Sequence, residues 1–218
     1  MVIHFGKLNK TFLFFKMYFV DANVTVLIQS YAISLYEYTA NKKDTDELLA
    51  TPPFSKLRVL KCHHNRNFTD KGLAYLPYLI TLNCDYYNTY FTDKGLASLP
   101  QLTSLTCGIN RNFTDSGLGC LPHLTTLDCG WNYNFTDEGL ASLPHLTTLR
   151  CTWNCNFTDE GLAYLPHLTT LDCGDNENFT DMGLAFLPHL TALNCGDNEN
   201  FTDKGLASLP HLTTLNWW

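Results

Sequence analysis

Three kinds of side chain recur in this chain at a spacing that could do chemistry. Cysteines stand at Cys62, Cys84, Cys107, Cys129, Cys151, Cys173 and Cys195. Zinc needs four ligands that converge on one point, whereas one thiol per repeating unit makes a line, so this column is expected to be packing. The imidazoles of His123, His145, His167, His189 and His211 each follow a proline. Such a row could ligate a transition metal or sense pH, but a solvated outer edge is the simpler expectation. Asp175, Glu177, Asp197 and Glu199 lie in two Gly-Asp-Asn-Glu-Asn segments. Those oxygens could serve calcium, and the competing expectation is an acidic edge that attracts a basic partner. Cys120 and Cys155 lie off the column and are the better candidates for reactive thiols. No nucleophile with a base, phosphate-binding glycine loop or metalloprotease helix is present, so no enzyme, cofactor or metal is expected.

These columns are positioned by a repeat. Phe-Thr-Asp-x-Gly-Leu begins at Phe68, Phe91, Phe113, Phe135, Phe157, Phe179 and Phe201, with a step of 22 residues and a single step of 23. A fixed period of this length predicts a solenoid of stacked coils. Residues 1–66 carry nine Lys/Arg against five Asp/Glu, a net of +4; residues 67–218 carry five against sixteen, a net of −11. An acidic array repels phosphate, so nucleic acid is not expected as a ligand. An odd cysteine count with most thiols in phase predicts free, buried thiols and a reducing, cytoplasmic location. Lys16 and Asp21 interrupt the apolar stretch near the start, so neither a membrane span nor a signal peptide is expected. Residues 1–30 are expected to cap the array, 31–66 to form a degenerate first repeat, and 67–218 to form seven repeats, the last cut short.

Within one unit, Leu171-Asp172-Cys173 alternates apolar, polar, apolar, which suits a short strand with one buried face. The asparagines Asn65, Asn88, Asn110, Asn132, Asn154, Asn176 and Asn198 are expected to satisfy the backbone of each turn and of its stacked neighbour. Thr180 is a helix N-cap with Asp181 in the first turn, and Phe179 staples onto Leu184. Leu184 and Leu187 should share the buried face of a short helix that Pro188 stops. Upstream, Ile33, Tyr36, Tyr38, Asn41 and Thr45-Asp46 keep this spacing as a worn unit, whose helix holds Pro52-Pro53 and should be distorted. The extra residue of the 23-residue step falls beside Tyr86 and Tyr87. The Asn-Phe-Thr triplets match a glycosylation pattern, but their residues are already engaged as cap and staple.

Leu-x-x-Leu-x-Cys-x-x-Asn-x-x-Phe-Thr-Asp-x-Gly-Leu resembles the leucine-rich repeat in its cysteine-containing variant. The resemblance covers about three quarters of the chain. It implies an α/β fold: a curved solenoid with a concave parallel sheet of about nine short strands and short helices on the convex side. At ~4.8 Å per strand such a sheet runs on the order of 40 Å. Many relatives of this variant are substrate receptors of ubiquitin ligases that carry an F-box ahead of the repeats. Only about 30 residues precede the first worn repeat here, and they lack the F-box's Leu-Pro start.

Function is then expected where repeats differ. Two positions after each cysteine the chain reads His64, Tyr86, Ile109, Trp131, Trp153, Asp175, Asp197. Just before the cysteine it reads Lys61, Asn83, Thr106, Asp128, Arg150, Asp172, Asn194, and just past the asparagine Arg66, Thr89, Arg111, Tyr133, Cys155, Glu177, Glu199. An aromatic and basic half thus meets an acidic half. Exposed Trp and Tyr beside Arg is the composition of an interface hot spot. The expectation is a scaffold that binds another protein or peptide through Tyr86, Trp131, Tyr133, Arg150, Trp153, Asp175 and Asp197. The alternatives are a substrate-recognition subunit of the F-box type, a cation-binding array, or a structural array without a ligand. Trp217 and Trp218 could also serve end-to-end self-association.

Overall fold

The computed structural model describes residues 35–85 and 90–217. The expected cap at 1–30, Ile33, the 23-residue step with Tyr86, Tyr87, Asn88 and Thr89, and Trp218 lie outside the described residues. Nine three-residue strands form one parallel sheet in sequence order: β1 (Glu37–Thr39), β2 (Val59–Lys61), β3 (Thr81–Asn83), β4 (Ser104–Thr106), β5 (Thr126–Asp128), β6 (Thr148–Arg150), β7 (Thr170–Asp172), β8 (Ala192–Asn194) and β9 (Thr214–Asn216). Each strand pairs with the next without slippage, and Thr81 still faces Ser104 across the 23-residue step. The central leucine of β2–β8 is buried while its two strand neighbours reach solvent. This is the period-2 alternation of a sheet with one wet face.

One-turn helices lie between the strands, among them α1 (Asp46–Leu49), α2 (Asp70–Leu73), α3 (Asp93–Leu96), α4 (Asp115–Leu118), α5 (Asp137–Ala141), α6 (Asp159–Leu162), α7 (Asp181–Leu184) and α8 (Asp203–Leu206). They are shorter than the sequence reading allowed. Leu187 lies beyond α7, tied to it by a bond from Leu187 N to Leu184 O at 3.0 Å. The helix is therefore closed by a tight i→i+3 turn, and Pro188 starts the following turn instead of stopping the helix.

Stacking is where the stability lies, since each coil touches only its neighbours. Phenylalanines 68 to 179 of the repeat are fully buried with the leucines and column cysteines. Each buried leucine contributes about 1.5–3 kcal/mol. Polar ladders run alongside. Asn132 Nδ2 donates to Asn110 O at 2.8 Å and Asn154 Nδ2 to Asn132 O at 2.6 Å, while each Oδ1 accepts from the backbone two residues on. Thr147 Oγ1 donates to Thr125 O and Thr169 Oγ1 to Thr147 O. The asparagines before the phenylalanines form another ladder: Asn134 donates to Arg111 O and Asn156 to Tyr133 O.

The aspartate of Phe-Thr-Asp-x-Gly-Leu does more than sit at a helix terminus. Asp137 Oδ1 accepts from Thr158 N at 2.9 Å and Asp137 Oδ2 from Thr158 Oγ1 at 2.6 Å. Thr158 Oγ1 in turn accepts from Glu160 N, capping α6. Each aspartate thus clamps the cap of the next coil, from Asp46 on Thr69 to Asp181 on Thr202. This explains the glycine two residues later. A Cβ on Gly161 would stand 2.2 Å from Asp137 Oδ1.

The worn first unit sits two residues away from the register its spacing predicts. Tyr38, not Tyr36, takes the strand-centre position, opposite Leu60. Tyr36 is 62% exposed, and Leu35 and Ala40 fill the places of Leu57 and Cys62. Measured from Thr45-Asp46 the unit steps by 24 residues, because the turn before α1 is two residues shorter; a shift of two keeps every side chain on its face, so alternation could not reveal it. Asn41 is accordingly exposed and does not join the buried ladder. Asp44 accepts from Tyr38 Oη and Asn41 N there, each at 2.6 Å. Pro52-Pro53 lie outside α1, in a separate 3₁₀ turn (Pro52–Phe54).

Candidate functional site

The solvent face of the sheet is built from the residues that flank each buried leucine and from the turn after each strand. That turn runs Cys-x-x-Asn and is closed by its own bond, for example Asn132 N to Cys129 O at 3.1 Å and Asn154 N to Cys151 O at 2.9 Å. Its third residue is thrown outward. Trp131 and Trp153 occupy it with φ of 65° and 63°, and Asp175 with 61°. A left-handed backbone is uncommon for any residue with a Cβ and is an outlier for one this bulky. The neighbouring coils place their positive φ one residue earlier, on Gly108 and Gly196. The strain is offset by extra rungs of the sheet: Trp131 N donates to Thr152 O at 3.0 Å and Trp153 N to Gly174 O at 3.1 Å.

The two indoles stack, with centroids 4.9 Å apart and planes 19° from parallel. They remain 46% and 41% exposed. Beside them is an open hollow of roughly 250 Å³, lined by Asp85, Asp128, Arg150, Thr152, Asp172, Trp131 and the backbone around Gly108. Burial pushes the Asp128 carboxyl above the usual range; Arg150 opposes this and the charges of Asp85 and Asp172 add to it.

Of the expected site residues, Trp131 and Arg150 line this hollow, and Trp153 stacks on its wall. Tyr133 is engaged elsewhere, under the guanidinium of Arg111 at 5.7 Å. Asp175 and Asp197 lie on later coils, outside the hollow. Tyr86 is among the residues not described. Asp85 was not singled out from the sequence, since its turn is the irregular one, and Asp128 and Asp172 were seen only as members of a changing column. The cations of the expected basic half are largely engaged within the protein. Lys61 Nζ meets Glu37 Oε1 at 2.6 Å, Arg150 reaches Asp128 at 4.0 Å, and Arg111 covers Tyr133.

The columns that looked chemical are placed as follows. All seven in-phase cysteines are buried and free, and burial pushes their thiols up. Several donate to the next coil, as Cys84 Sγ does to Thr106 O at 3.5 Å and Cys173 Sγ to Asn194 O at 3.6 Å. Cys120 and Cys155 are exposed. His123, His145, His167, His189 and His211 are exposed. Among the described residues no group of three or more His, Cys, Asp or Glu could hold a metal, and no helix is long and apolar enough to cross a membrane. Trp217 is exposed after β9.

The model of the Leucine Rich repeat family matches residues 120–143, 142–165 and 186–210. No curated protein matches the sequence significantly. Solved structures do. An internalin, InlF, from Listeria monocytogenes is 25% identical with a TM-score of 0.58, over 78% of this chain and 56% of that one. The functional domain of InlJ from the same organism, which includes a cysteine ladder, is 25% identical with a TM-score of 0.56, over 84% and 44%. The structure of the yeast Rad7 and Elc1 complex matches at 19% identity and a TM-score of 0.65, over 84% and 55%, a likeness of fold. The chain spans about half the length of the first of these structures.

Proposed function

We propose, from the premise that the chain is an array of leucine-rich repeats, that it is a non-enzymatic scaffold holding another protein or peptide against the open sheet face. The observation that carries this reading is the stacked, half-exposed Trp131–Trp153 pair on left-handed backbone. The coil does not need tryptophan there: the same position holds Ile109, Asp175 and Asp197 in other coils. Local strain at a surface aromatic points to use. Trp131, Trp153 and Arg150 are the anchors, Tyr133 extends the aromatic surface, and Asp175 and Asp197 form a charged margin; Tyr86 belongs to the same column. Tryptophan and arginine at the centre of an interface are the residue types that dominate binding energy. A structure with this fold is that of the yeast Rad7 and Elc1 complex, which supports an assembly role for such a solenoid. The seven buried, free thiols suit a reducing, cytoplasmic setting.

The test is affinity capture with the wild-type chain beside Trp131→Ala/Trp153→Ala, followed by titration with the purified partner. Losing two hot-spot residues worth about 2 kcal/mol each should weaken the complex by at least ~100-fold. Equal capture by the two proteins would remove the site.

A further inference from the structure

Between the two tryptophan turns stands a residue the coil does not ask for. In the column just after the buried cysteine, Gly108 and Gly130 precede Thr152, and Gly174 and Gly196 follow it. Glycine suits a turn that enters the left-handed region, so a threonine here gives up backbone ease. Thr152 is joined to both indole-bearing residues. It is the chain neighbour of Trp153, and its O accepts from Trp131 N at 3.0 Å. Its hydroxyl is engaged as well: Thr152 Oγ1 donates to Asp172 Oδ1 at 3.2 Å. The same oxygen accepts from Asn194 Nδ2 at 3.1 Å, and Asn194 Oδ1 accepts from Gly196 N at 3.4 Å. A run of side chains thus crosses from the turn after β8, through Asp172 on β7, to the turn after β6. The neighbouring coils have glycine in the threonine's place and no hydroxyl for the corresponding bond. The link therefore occurs where the indoles stand.

We infer that Asp172 is a positioning residue of the interaction face: its carboxylate oxygen holds Thr152 and Asn194 together, and Thr152 in turn fixes the backbone that presents Trp131 and Trp153. Threonine has a stiff χ1, so anchoring its hydroxyl also orients the peptide that follows. The carbonyl of that anchored residue is the acceptor that keeps the Trp131 turn in place. The stacked pair is then set before a partner arrives, which lowers the ordering cost of binding. The inference rests on the interaction face proposed above for its use. The geometry itself is read without a partner, so the two can fail separately.

The test is near-ultraviolet circular dichroism of the full chain, which reports whether aromatic side chains are held in one arrangement. The pair's contribution is the difference between a protein and the same protein carrying Trp131→Phe/Trp153→Phe. It is measured in the wild type and in the Asp172→Ala background, with the urea midpoint read in parallel. Asp172→Ala should remove at least about half of the pair's signal, because the anchor of the Thr152 turn is lost. Asp172→Asn keeps an acceptor oxygen and should retain the signal. Thr152→Val keeps the shape, removes only the hydroxyl, and should lose the signal as Asp172→Ala does; it decides alone if Asp172→Ala does not fold. A full signal in Asp172→Ala, whatever its urea midpoint, would reduce Asp172 to a stabilising residue and overturn the inference. A full signal in Thr152→Val, or a signal lost in Asp172→Asn, would overturn it too.

Discussion

The helix side and the open sheet face of each coil are made by the same period yet follow opposite rules. On the helix side the aspartate and threonine side chains of the repeated motif link each coil to the next: aspartate clamps threonine, and glycine makes room for the aspartate. On the sheet face the turn residue changes from Ile109 to Trp131 to Asp175 without disturbing the coil, and at three positions it adopts a backbone that glycine would hold with less strain. Invariance here reports a closed set of contacts, and variation with strain marks a surface the fold does not require.

The sharpest way to break this contrast is to cut the clamp. Asp137→Ala removes two hydrogen bonds to a charged acceptor and should lower unfolding stability by about 3 kcal/mol, read from the urea midpoint and slope. Gly161→Ala presses a Cβ onto that carboxylate and should lose about 1–3 kcal/mol by the same measurement. An undiminished Asp137→Ala would mean that the ladder is decoration. Asp128→Asn, on the other face, should not destabilise at neutral pH. A carboxyl raised in the folded state favours folding while protonated and loses that contribution as pH rises through its folded value. The small gain of Asp128→Asn at pH 7 should therefore fade below that range, and a destabilised variant would assign Asp128 to the scaffold. Thiol titration probes burial directly: two cysteines, Cys120 and Cys155, should react with Ellman's reagent in the native protein and the other seven only on unfolding.

Much of this was legible in the sequence because a repeat prints its own register. The strand Leu171, the buried Cys173 and Asn176, and the Thr180 cap follow from period and residue chemistry. The Asp–Thr clamp was not legible, since an aspartate after an N-cap is explained equally well by its own helix; only stacking shows that its oxygens face the next coil. In the worn unit the spacing from Thr45-Asp46 points to Ile33 and Tyr36, whereas the strand follows Leu35-x-x-Tyr38-x-Ala40, which stands 22 residues before Leu57, Leu60 and Cys62. The tryptophan pair was visible as a column, but its left-handed backbone was not: glycine at Gly130 and Gly174 suggests relief one residue earlier, where Gly108 and Gly196 do provide it.

The most direct test of the contrast is the urea unfolding of Trp131→Gly/Trp153→Gly. Stacking worth about 0.5–1.5 kcal/mol is lost, and left-handed strain of similar size is relieved, so stability should stay within about 1.5 kcal/mol of wild type. A loss as large as that of Asp137→Ala would show that the tryptophans hold the coils together and are not a surface kept for a partner.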